Sequence, residues 1–334
     1  MRHCVLRAAA AAGAFALACA ALAQAPAVMK IGTATLNDAQ HEWMKIFVAH
    51  VEKDSGGRIK GELYPASQLG PIPRMVENTQ FGAIQGFVGP PEFMAGVDPR
   101  FQLLAAPGLF KDMAHAQRTL TDPEFRKAFL ALGANKGLQG VGTMMSGPAT
   151  FVMRTKATRL ADLEGKRIRV FASPMQQEQI RRLKATPVPM SLGEVLPALQ
   201  QGAIDGTVAS VPVVSAFHYY DAAKYVLETD HAIVAGVAVL SKLWYDKLSP
   251  ELQKIVADAG NRASVEVFAW TVDFWKKQRE VWTKNGGELA QLSAAEREQL
   301  TRLLQPIGVE VSAKNPEEKR LYDLLVATAR RTAQ

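Results

Sequence analysis

Two neighbouring segments say most about the fold of this chain: "LADLEGKRIRVFASP" (160–174) and "ATPVPMSLGEVLPALQQGAIDGTVASVP" (185–212). The first predicts a loop followed by a short strand that carries Arg167 and Arg169. The second predicts another short strand, an amphipathic helix and a turn at an Asp-Gly pair. Short strands that alternate with helices are typical of an α/β architecture.

The same alternation continues on both sides of these segments. The predicted strands lie at 28–36, 59–63, 86–89, 139–145, 149–154, 166–171, 224–229 and 235–240, and the predicted helices at 40–53, 71–81 and 191–200. The segment 90–111 is apolar and rich in Pro and Gly, and we expect it to be a loop.

A long helix is predicted near the C-terminal end of this pattern. Ser249 is a suitable N-cap, Pro250 fits the first helical position, and Asn285 followed by two glycines ends the run. Such a helix would extend ~50 Å, which is more than the width of one small lobe, so we predict two lobes that share it. The alternative is two helices broken near Gly260.

The N-terminal segment predicts secretion. Arg2 and Arg7 precede an apolar run, and Ala21-Leu22-Ala23 has the form of a cleavage site, so we expect residues 1–23 to be a signal peptide. Both cysteines, Cys4 and Cys19, lie in that segment, which leaves no thiol or disulfide in the rest of the chain. A competing interpretation makes Cys19 a lipid-modified N-terminus.

The composition does not favour nucleic acid binding or catalysis. The formal net charge is +7 and is spread along the chain without a Lys/Arg run. The six histidines form neither an HxH nor an HExxH spacing, and no P-loop or nucleophile elbow is present in the sequence. We therefore predict no enzyme activity, no metal and no cofactor.

Arg169 is the strongest candidate for ligand binding. Residues i and i+2 of a strand share a face, so Arg167 and Arg169 are predicted to lie on the same side. One interpretation is a solvated strand face. The other is an anion site, because the planar guanidinium can donate two parallel hydrogen bonds to one carboxylate.

Several blocks of the sequence resemble the solute receptors of tripartite ATP-independent periplasmic (TRAP) transporters. They are "SGGRIKGELYPASQLG" (55–70), "LADLEGKRIRV" (160–170), the block from Pro187 to Gly206, and "YDKLSPELQKIVADA" (245–259). The resemblance extends over nearly the whole chain after residue 23, and these blocks are its most specific parts. The resemblance implies an α/β, two-lobed periplasmic binding protein with a central cleft that closes around a small organic acid and delivers it to a membrane permease.

The resemblance also implies the roles of particular residues. Arg169 matches the family's carboxylate-binding arginine, and Phe171, Ser210, Gly89 and Pro90 are predicted to shape the rest of the cleft. Lobe I is predicted to comprise residues 28–148 and 237–270, and lobe II residues 149–236 and 271–334.

Two departures from the family pattern bear on the solute. Many members carry Glu-Asn-Pro after the Asp-Gly turn, whereas this chain has Ala209-Ser210-Val211-Pro212, so Ser210 is the nearest polar substitute. Members that bind sialic acid carry a further arginine near position 149, which is Ala149 here. Fewer polar partners predict a smaller or more apolar acid than a sugar acid.

Two other functions are compatible with the same scaffold. One is a receptor for another transporter class or a sensory input, and the other is an enzyme built on the bilobed fold, because fold alone does not determine function.

Overall fold

The strands form one mixed sheet in the computed structural model, which describes residues 25–334; the predicted signal peptide (1–23) lies outside the described residues. The strands are β1 (Ala27–Thr33), β2 (Ile59–Tyr64), β3 (Gly86–Gly89), β4 (Leu138–Met153), β5 (Arg167–Val170), β6 (Thr186–Pro189), β7 (Gly206–Ala209), β8 (Tyr225–Ser241) and β9 (Glu288–Gln291). Their order in the sheet is β2-β1-β3-β8-β4-β7-β5-β6, and β9 pairs with β8.

Helices connect and cover these strands. They are α1 (Ala39–Asp54), α2 (Ile72–Gln80), α3 (Met113–Leu120), α4 (Pro123–Leu130), α5 (Pro174–Arg182), α6 (Leu192–Gln200), α7 (Val211–Ala216), α8 (Lys242–Tyr245), α9 (Pro250–Lys284), α10 (Ala294–Leu304), α11 (Pro306–Ser312) and α12 (Pro316–Arg331). The predicted α/β class is therefore confirmed. None of the helices within residues 25–334 is both long enough and apolar enough to cross a membrane.

The sheet has two halves joined by two long strands. In the first half, β1 lies between β2 and β3 and is parallel to both. In the second half, β5 lies between β6 and β7 and is parallel to both. Strands β4 and β8 are 16 and 17 residues long and pair antiparallel with each other through both halves. Because β8 pairs antiparallel with β3 and β4 with β7, the strands of the two halves run in opposite directions.

Two of the predicted strand breaks are absent. The segments predicted as 139–145 and 149–154 form the single strand β4, and those predicted as 224–229 and 235–240 form the single strand β8. Gly147 and Pro148 lie between the two segments predicted on β4, and the register of β4 against β8 shifts on either side of this pair. At the first shift β4 has one extra residue, as in a β-bulge, and at the second β8 has three extra residues, but both strands continue through these irregularities.

Helix α9 is a single helix of 35 residues, so the alternative of two helices broken near Gly260 is wrong. The side chain of Ser249 accepts a hydrogen bond from the backbone of Leu252, which caps the N-terminus as predicted. Gly260 serves close packing, because a Cβ at this position would lie 2.1 Å from the carbonyl oxygen of Val141 on β4. The glycine lets α9 lie directly against the sheet.

The expected loop at 90–111 is more ordered than predicted. It contains two short 3₁₀ helices, Pro91–Met94 and Pro99–Ala105, and each begins with a proline, whose fixed φ suits a first helical position. The side chains of Phe101, Leu103 and Leu104 are buried in the main hydrophobic core. This apolar segment therefore forms part of the core between the sheet and the C-terminal helices.

Candidate functional site

All five residues predicted to shape a binding site line one enclosed cavity. Arg169, Phe171, Ser210, Gly89 and Pro90 surround a space of about 30 Å³. Gly89 and Pro90 come from the end of β3 in the first half, and the other three come from β5 and β7 or directly after them. The chain thus brings together residues that are up to 121 positions apart, as from Gly89 to Ser210.

The position of this cavity follows from the direction of the strands. In each half the cavity-lining residues lie at the carboxyl ends of parallel strands, and these ends face each other because the halves run in opposite directions. Open α/β sheets bind their ligands outside the carboxyl ends of strands, where backbone groups and loop side chains converge. The cavity occupies such a place in both halves at once.

Among the described residues that line this cavity, Arg169 is the only one with a cationic side chain. Its side chain is 1% exposed, and its Nε donates a hydrogen bond to the carbonyl oxygen of Met190 at 2.9 Å. Its Nη1 is 3.4 Å from the carbonyl oxygen of Val208, and among residues 25–334 it forms no salt bridge. The structure therefore holds a guanidinium group in place by backbone carbonyls and leaves its charge without a carboxylate counterpart.

Burial and neighbouring groups have opposing effects on this charge. Loss of hydration lowers the pKa of Arg169 to about 10, while Tyr219, Glu92 and Glu194 act in the other direction. At neutral pH the guanidinium is still a cation. Tyr219 is itself buried, which raises its pKa to about 12, and its hydroxyl donates to the carbonyl oxygen of Leu192 at 3.2 Å.

Arg167 has quite different surroundings, although it is only two positions away on β5. Its guanidinium donates to both carboxylate oxygens of Asp205, at 3.0 and 3.1 Å, and its side chain is 47% exposed. The strand face that carries both arginines therefore runs from solvent at Arg167 into the cavity at Arg169. The solvated-face interpretation is correct for Arg167 and wrong for Arg169.

Two aromatic rings lie against the Arg169 guanidinium. Its central carbon is 4.7 Å from the ring centroid of Phe171 and 6.0 Å from that of Phe93, and the two rings are 5.6 Å apart. Cation–π contact favours such an arrangement, and the flat rings fix the plane of the guanidinium. Phe93 follows β3 and Phe171 follows β5, so this contact joins the two halves of the sheet.

Ser210 and Gly89 present small groups to the cavity. The Ser210 hydroxyl is fully buried, and among the described residues it has no hydrogen-bond partner. A buried hydroxyl without a partner is costly, so it is poised to bond with a group that enters the cavity. At Gly89 a Cβ would lie 2.3 Å from the ring of Phe87, so only glycine lets the backbone occupy this wall.

Three further residues of the cavity wall were missed by sequence reasoning: Phe93, Thr35 and Gln40. Phe93 lies in the segment predicted to be a loop. Thr35 and Gln40 follow the first strand, and the only signal for them was their place at a strand's carboxyl end. The rest of the wall is apolar and comprises Ala34, Ile72, Leu192, Ala209, Val213 and Val234.

Other parts of the structure have fewer chemical features that indicate a binding site. Among residues 25–334, no cluster of three or more His, Cys, Asp or Glu side chains is arranged to hold a metal ion. A larger groove of about 840 Å³ lies open beside α12, but its lining includes none of the predicted site residues. The buried arginine makes the small cavity the better candidate, despite its size.

The fold and this cavity between two half-sheets are those of a class of substrate-binding proteins. The sequence matches the model of the bacterial extracellular solute-binding proteins, family 7, over residues 32–315. The chain belongs to this family, whose members serve as the solute receptors of TRAP transporters, as the sequence blocks predicted.

Individual relatives agree with this assignment. The chain is 30% identical over 227 residues to the 2,3-diketo-L-gulonate-binding periplasmic protein of Escherichia coli K12, which covers 68% of this chain and 69% of that protein. It is 32% identical over 217 residues to an uncharacterized protein of Salmonella typhimurium LT2, which covers 65% of this chain and 66% of that protein.

Two solved structures of TRAP periplasmic solute-binding proteins are similar over almost the whole fold. One, from Desulfovibrio salexigens with bound orotic acid, has a TM-score of 0.86 at 25% identity and covers 91% of this chain and 99% of its own. The other, from Xanthobacter autotrophicus Py2 with bound β-D-galacturonate, has a TM-score of 0.83 at 26% identity and covers 90% of this chain and 99% of its own.

Proposed function

We propose that this receptor binds a small organic carboxylate in the enclosed cavity, with Arg169 as the carboxylate anchor. The solute leaves chemically unchanged, because the cavity presents a binding group and no pair of groups arranged for acid–base or nucleophilic chemistry. In this proposal Ser210 adds a hydrogen bond, and Phe171, Gly89 and Pro90 determine which solute fits.

The observation that carries the proposal is the buried guanidinium without an anionic partner. Removing a charge from water costs several kcal/mol unless a counter-charge or hydrogen bonds compensate for it. Here two carbonyl oxygens contribute, at 2.9 and 3.4 Å, and the second distance is long for a hydrogen bond. A solute carboxylate would supply the missing negative charge and accept two parallel hydrogen bonds from the planar guanidinium.

The relatives are consistent with this chemistry. Diketogulonate, orotic acid and galacturonate, which the names of the relatives specify, all carry a carboxylate group. The solute of this chain is proposed to be smaller or more apolar than a sugar acid, because most of the cavity wall is formed by aliphatic and aromatic side chains.

Solute entry requires the two halves to separate. The cavity of about 30 Å³ is too small to hold an organic acid in this form of the chain, so it must open to admit the solute and remain wider around the bound solute. We propose that residues 28–148 with 237–270, and residues 149–236 with 271–334, form two lobes that open and close by hinge motion. The register shifts of β4 near Gly147 lie at this proposed boundary.

Location and partners complete the proposal. We infer that residues 1–23 direct export to the periplasm, with cleavage after Ala23, and that the closed form docks on the membrane permease subunits of a TRAP transporter. The positive net charge of the chain would favour the approach of anionic solutes.

Calorimetry on matched arginine variants tests the anchor. A thermal-shift screen of mono-, di-, oxo- and aromatic carboxylates first identifies a ligand, because a solute at 100 times its Kd adds about 2.7 kcal/mol of stability. Arg169→Ala should then weaken binding of that ligand by about 2–5 kcal/mol, the usual effect of removing one partner of a buried charge pair.

Arg167→Ala is the matched control, because it removes an exposed arginine from the same strand. It should leave the affinity unchanged, and both variants should keep the circular dichroism of the wild type. An Arg169→Ala affinity within about threefold of the wild type, or an equal loss in both variants, would contradict the proposal.

A further inference from the structure

A cluster of buried polar side chains borders the cavity on the side of the first half. It consists of Thr33, Thr35, Asp38, Gln40 and Ser146, which we call the polar cluster, and each side chain is at most 3% exposed. Thr35 and Gln40 also line the cavity. The other first-half side chains of the wall, Ala34, Ile72, Pro90 and Phe93, are apolar, so the polar groups of that half are concentrated here.

The hydrogen bonds of the polar cluster orient the Gln40 side chain. Thr35 Oγ1 donates to Asp38 Oδ1 at 2.7 Å, and Thr33 Oγ1 donates to Gln40 Oε1 at 3.1 Å. The amide oxygen of Gln40 is therefore occupied. Its Nε2 carries two hydrogens and has one long contact, 3.5 Å, to Ser146 Oγ. The cluster thus holds an under-used hydrogen-bond donor at the cavity wall.

The charges around the cavity disfavour a second negative group on the solute. Among the described residues of the wall Arg169 is the single cation, and one carboxylate would match its charge. Asp38, which accepts a hydrogen bond from the wall residue Thr35 through Oδ1, is a buried acid whose Oδ2 has no hydrogen-bond partner among the described residues. A second carboxylate bound near Thr35 would be buried close to this acid without a cation to compensate for its charge.

The apolar side chains that form the rest of the cavity wall disfavour a solute with many hydroxyl groups. Phe93, Phe171, Ile72, Val213 and Val234 can accept no hydrogen bond from a hydroxyl through their side chains. Each hydroxyl buried against them would lose its bonds to water without replacement.

We propose, resting on the proposed function, that the solute is a monocarboxylate with a neutral hydrogen-bond acceptor, such as an oxo group, at the end remote from its carboxylate. Arg169 binds the carboxylate, Gln40 Nε2 donates to the acceptor oxygen, and the segment between them is apolar. Gln40 is accordingly the residue that determines specificity at the second end.

Matched sets of acids test this inference by calorimetry. Each set contains a straight-chain acid of about four to seven carbons, its oxo derivative with the carbonyl beside the terminal methyl group, and the dicarboxylate of the same length. Pentanoate, 4-oxopentanoate and glutarate form one such set, and D-galacturonate is added as a sugar acid. In the set that binds most tightly, the oxo acid should bind about tenfold more tightly than the other two, the effect of one well-made hydrogen bond.

Variants of Gln40 test whether the amide nitrogen of its side chain causes the preference for the oxo acid. Gln40→Met keeps the length of the side chain and should abolish the advantage of the oxo acid, while the affinity for the plain acid stays within about threefold. Gln40→Leu, which also removes the donor without adding a charge, should do the same and serves if the Met variant does not fold. Gln201→Met changes an exposed glutamine and is the control.

The outcomes separate the two proposals. Tighter binding of a dicarboxylate or of galacturonate, an absent oxo preference, or an oxo preference that survives in both Gln40 variants would overturn this inference and leave the Arg169 anchor intact. Failure of every carboxylate to bind, or binding that is unchanged in Arg169→Ala, would overturn the proposed function itself.

Discussion

Ionisable residues in and near the cavity lie in two kinds of surroundings, at the surface and in the interior. Arg167 and Asp205 pair at the surface, where their ion pair contributes little to stability. Arg169, Glu92 and Asp38 are buried, and none of them forms a salt bridge within the part of the chain that the structure describes. Groups of this kind are kept at the expense of folding stability, and perturbed ionisable residues of this kind concentrate at functional sites.

Because Glu92 is buried, the free energy of unfolding should depend measurably on pH. Burial raises its pKa from 4.5 to about 8, against the opposing effect of Arg169. The folded state therefore holds a proton that the unfolded chain releases between these values. The stability associated with Glu92 is fully present below about pH 4.5 and is lost as the pH rises through about 8.

The Glu92→Gln variant keeps the shape of the side chain and removes its ionisable group. Its free energy of unfolding relative to the wild type should therefore increase as the pH rises. The difference in the free energy of unfolding should grow by at most ~5 kcal/mol between about pH 5 and 9. Urea unfolding at about pH 5, 7 and 9 measures it, with Glu280→Gln as the control for loss of an exposed carboxyl. A difference that is constant with pH would show that Glu92 does not titrate in this range.

At the scale of elements, α9 contacts both proposed lobes through close packing. It packs on α1, on β4 and on α7, and Gly260 is where it approaches the carbonyl oxygen of Val141. The Trp43 indole donates to Ser264 Oγ at 3.2 Å, which attaches the same turn of α9 to α1. Ser264 Oγ also accepts a hydrogen bond from the backbone of Thr143 on β4, so a small residue and buried hydrogen bonds hold this part of α9 against α1 and β4.

Gly260→Ala should destabilise the protein by about 1–3 kcal/mol, because the added methyl group overpacks the contact with β4. Gly193→Ala is the matched comparison, since a Cβ there meets nothing within 4 Å in helix α6. It should stabilise the protein by about 0.5–1 kcal/mol through helix propensity. Urea denaturation of both variants gives the two values, and a neutral Gly260→Ala would mean that α9 can move away from the sheet without loss.

The elements also show what sequence reasoning can and cannot provide. The limits of α9 were predictable because capping is local: Ser249, Pro250 and Asn285 lie at its two ends. The continuity of β4 through Gly147-Pro148 was not, because it depends on pairing with β8, about 85 residues later. Phe93, Thr35 and Gln40 were missed for the same reason, because they become part of the cavity wall only when the two halves of the sheet come together.

The candidacy of Arg169 could be predicted from the sequence for a different reason. The charge of its side chain and its place on a short strand were predictable, and the sequence blocks that resemble the family implied its role. Its burial could not be predicted, since Arg167 on the same face is exposed. Strand periodicity gives the face of a residue, but the depth along that face depends on tertiary packing.

At the scale of the whole molecule, the proposed function requires the solute to connect both halves. The cavity is walled by Gly89, Pro90 and Gln40 from the first half and by Arg169 and Ser210 from the second. A solute held by both would stabilise the closed form over the open form by its differential affinity. In the proposed hinge motion, strands β4 and β8 and helix α9 would keep the halves joined.

A crystal structure of the protein with the solute found by the thermal-shift screen would reveal both the anchor and the contacts with the two halves. We expect a carboxylate oxygen about 2.7–2.9 Å from a terminal nitrogen of Arg169, with the remainder of the solute in contact with both halves. A solute whose carboxylate is bound by another residue, or that lies against one half alone, would overturn the proposed binding mode.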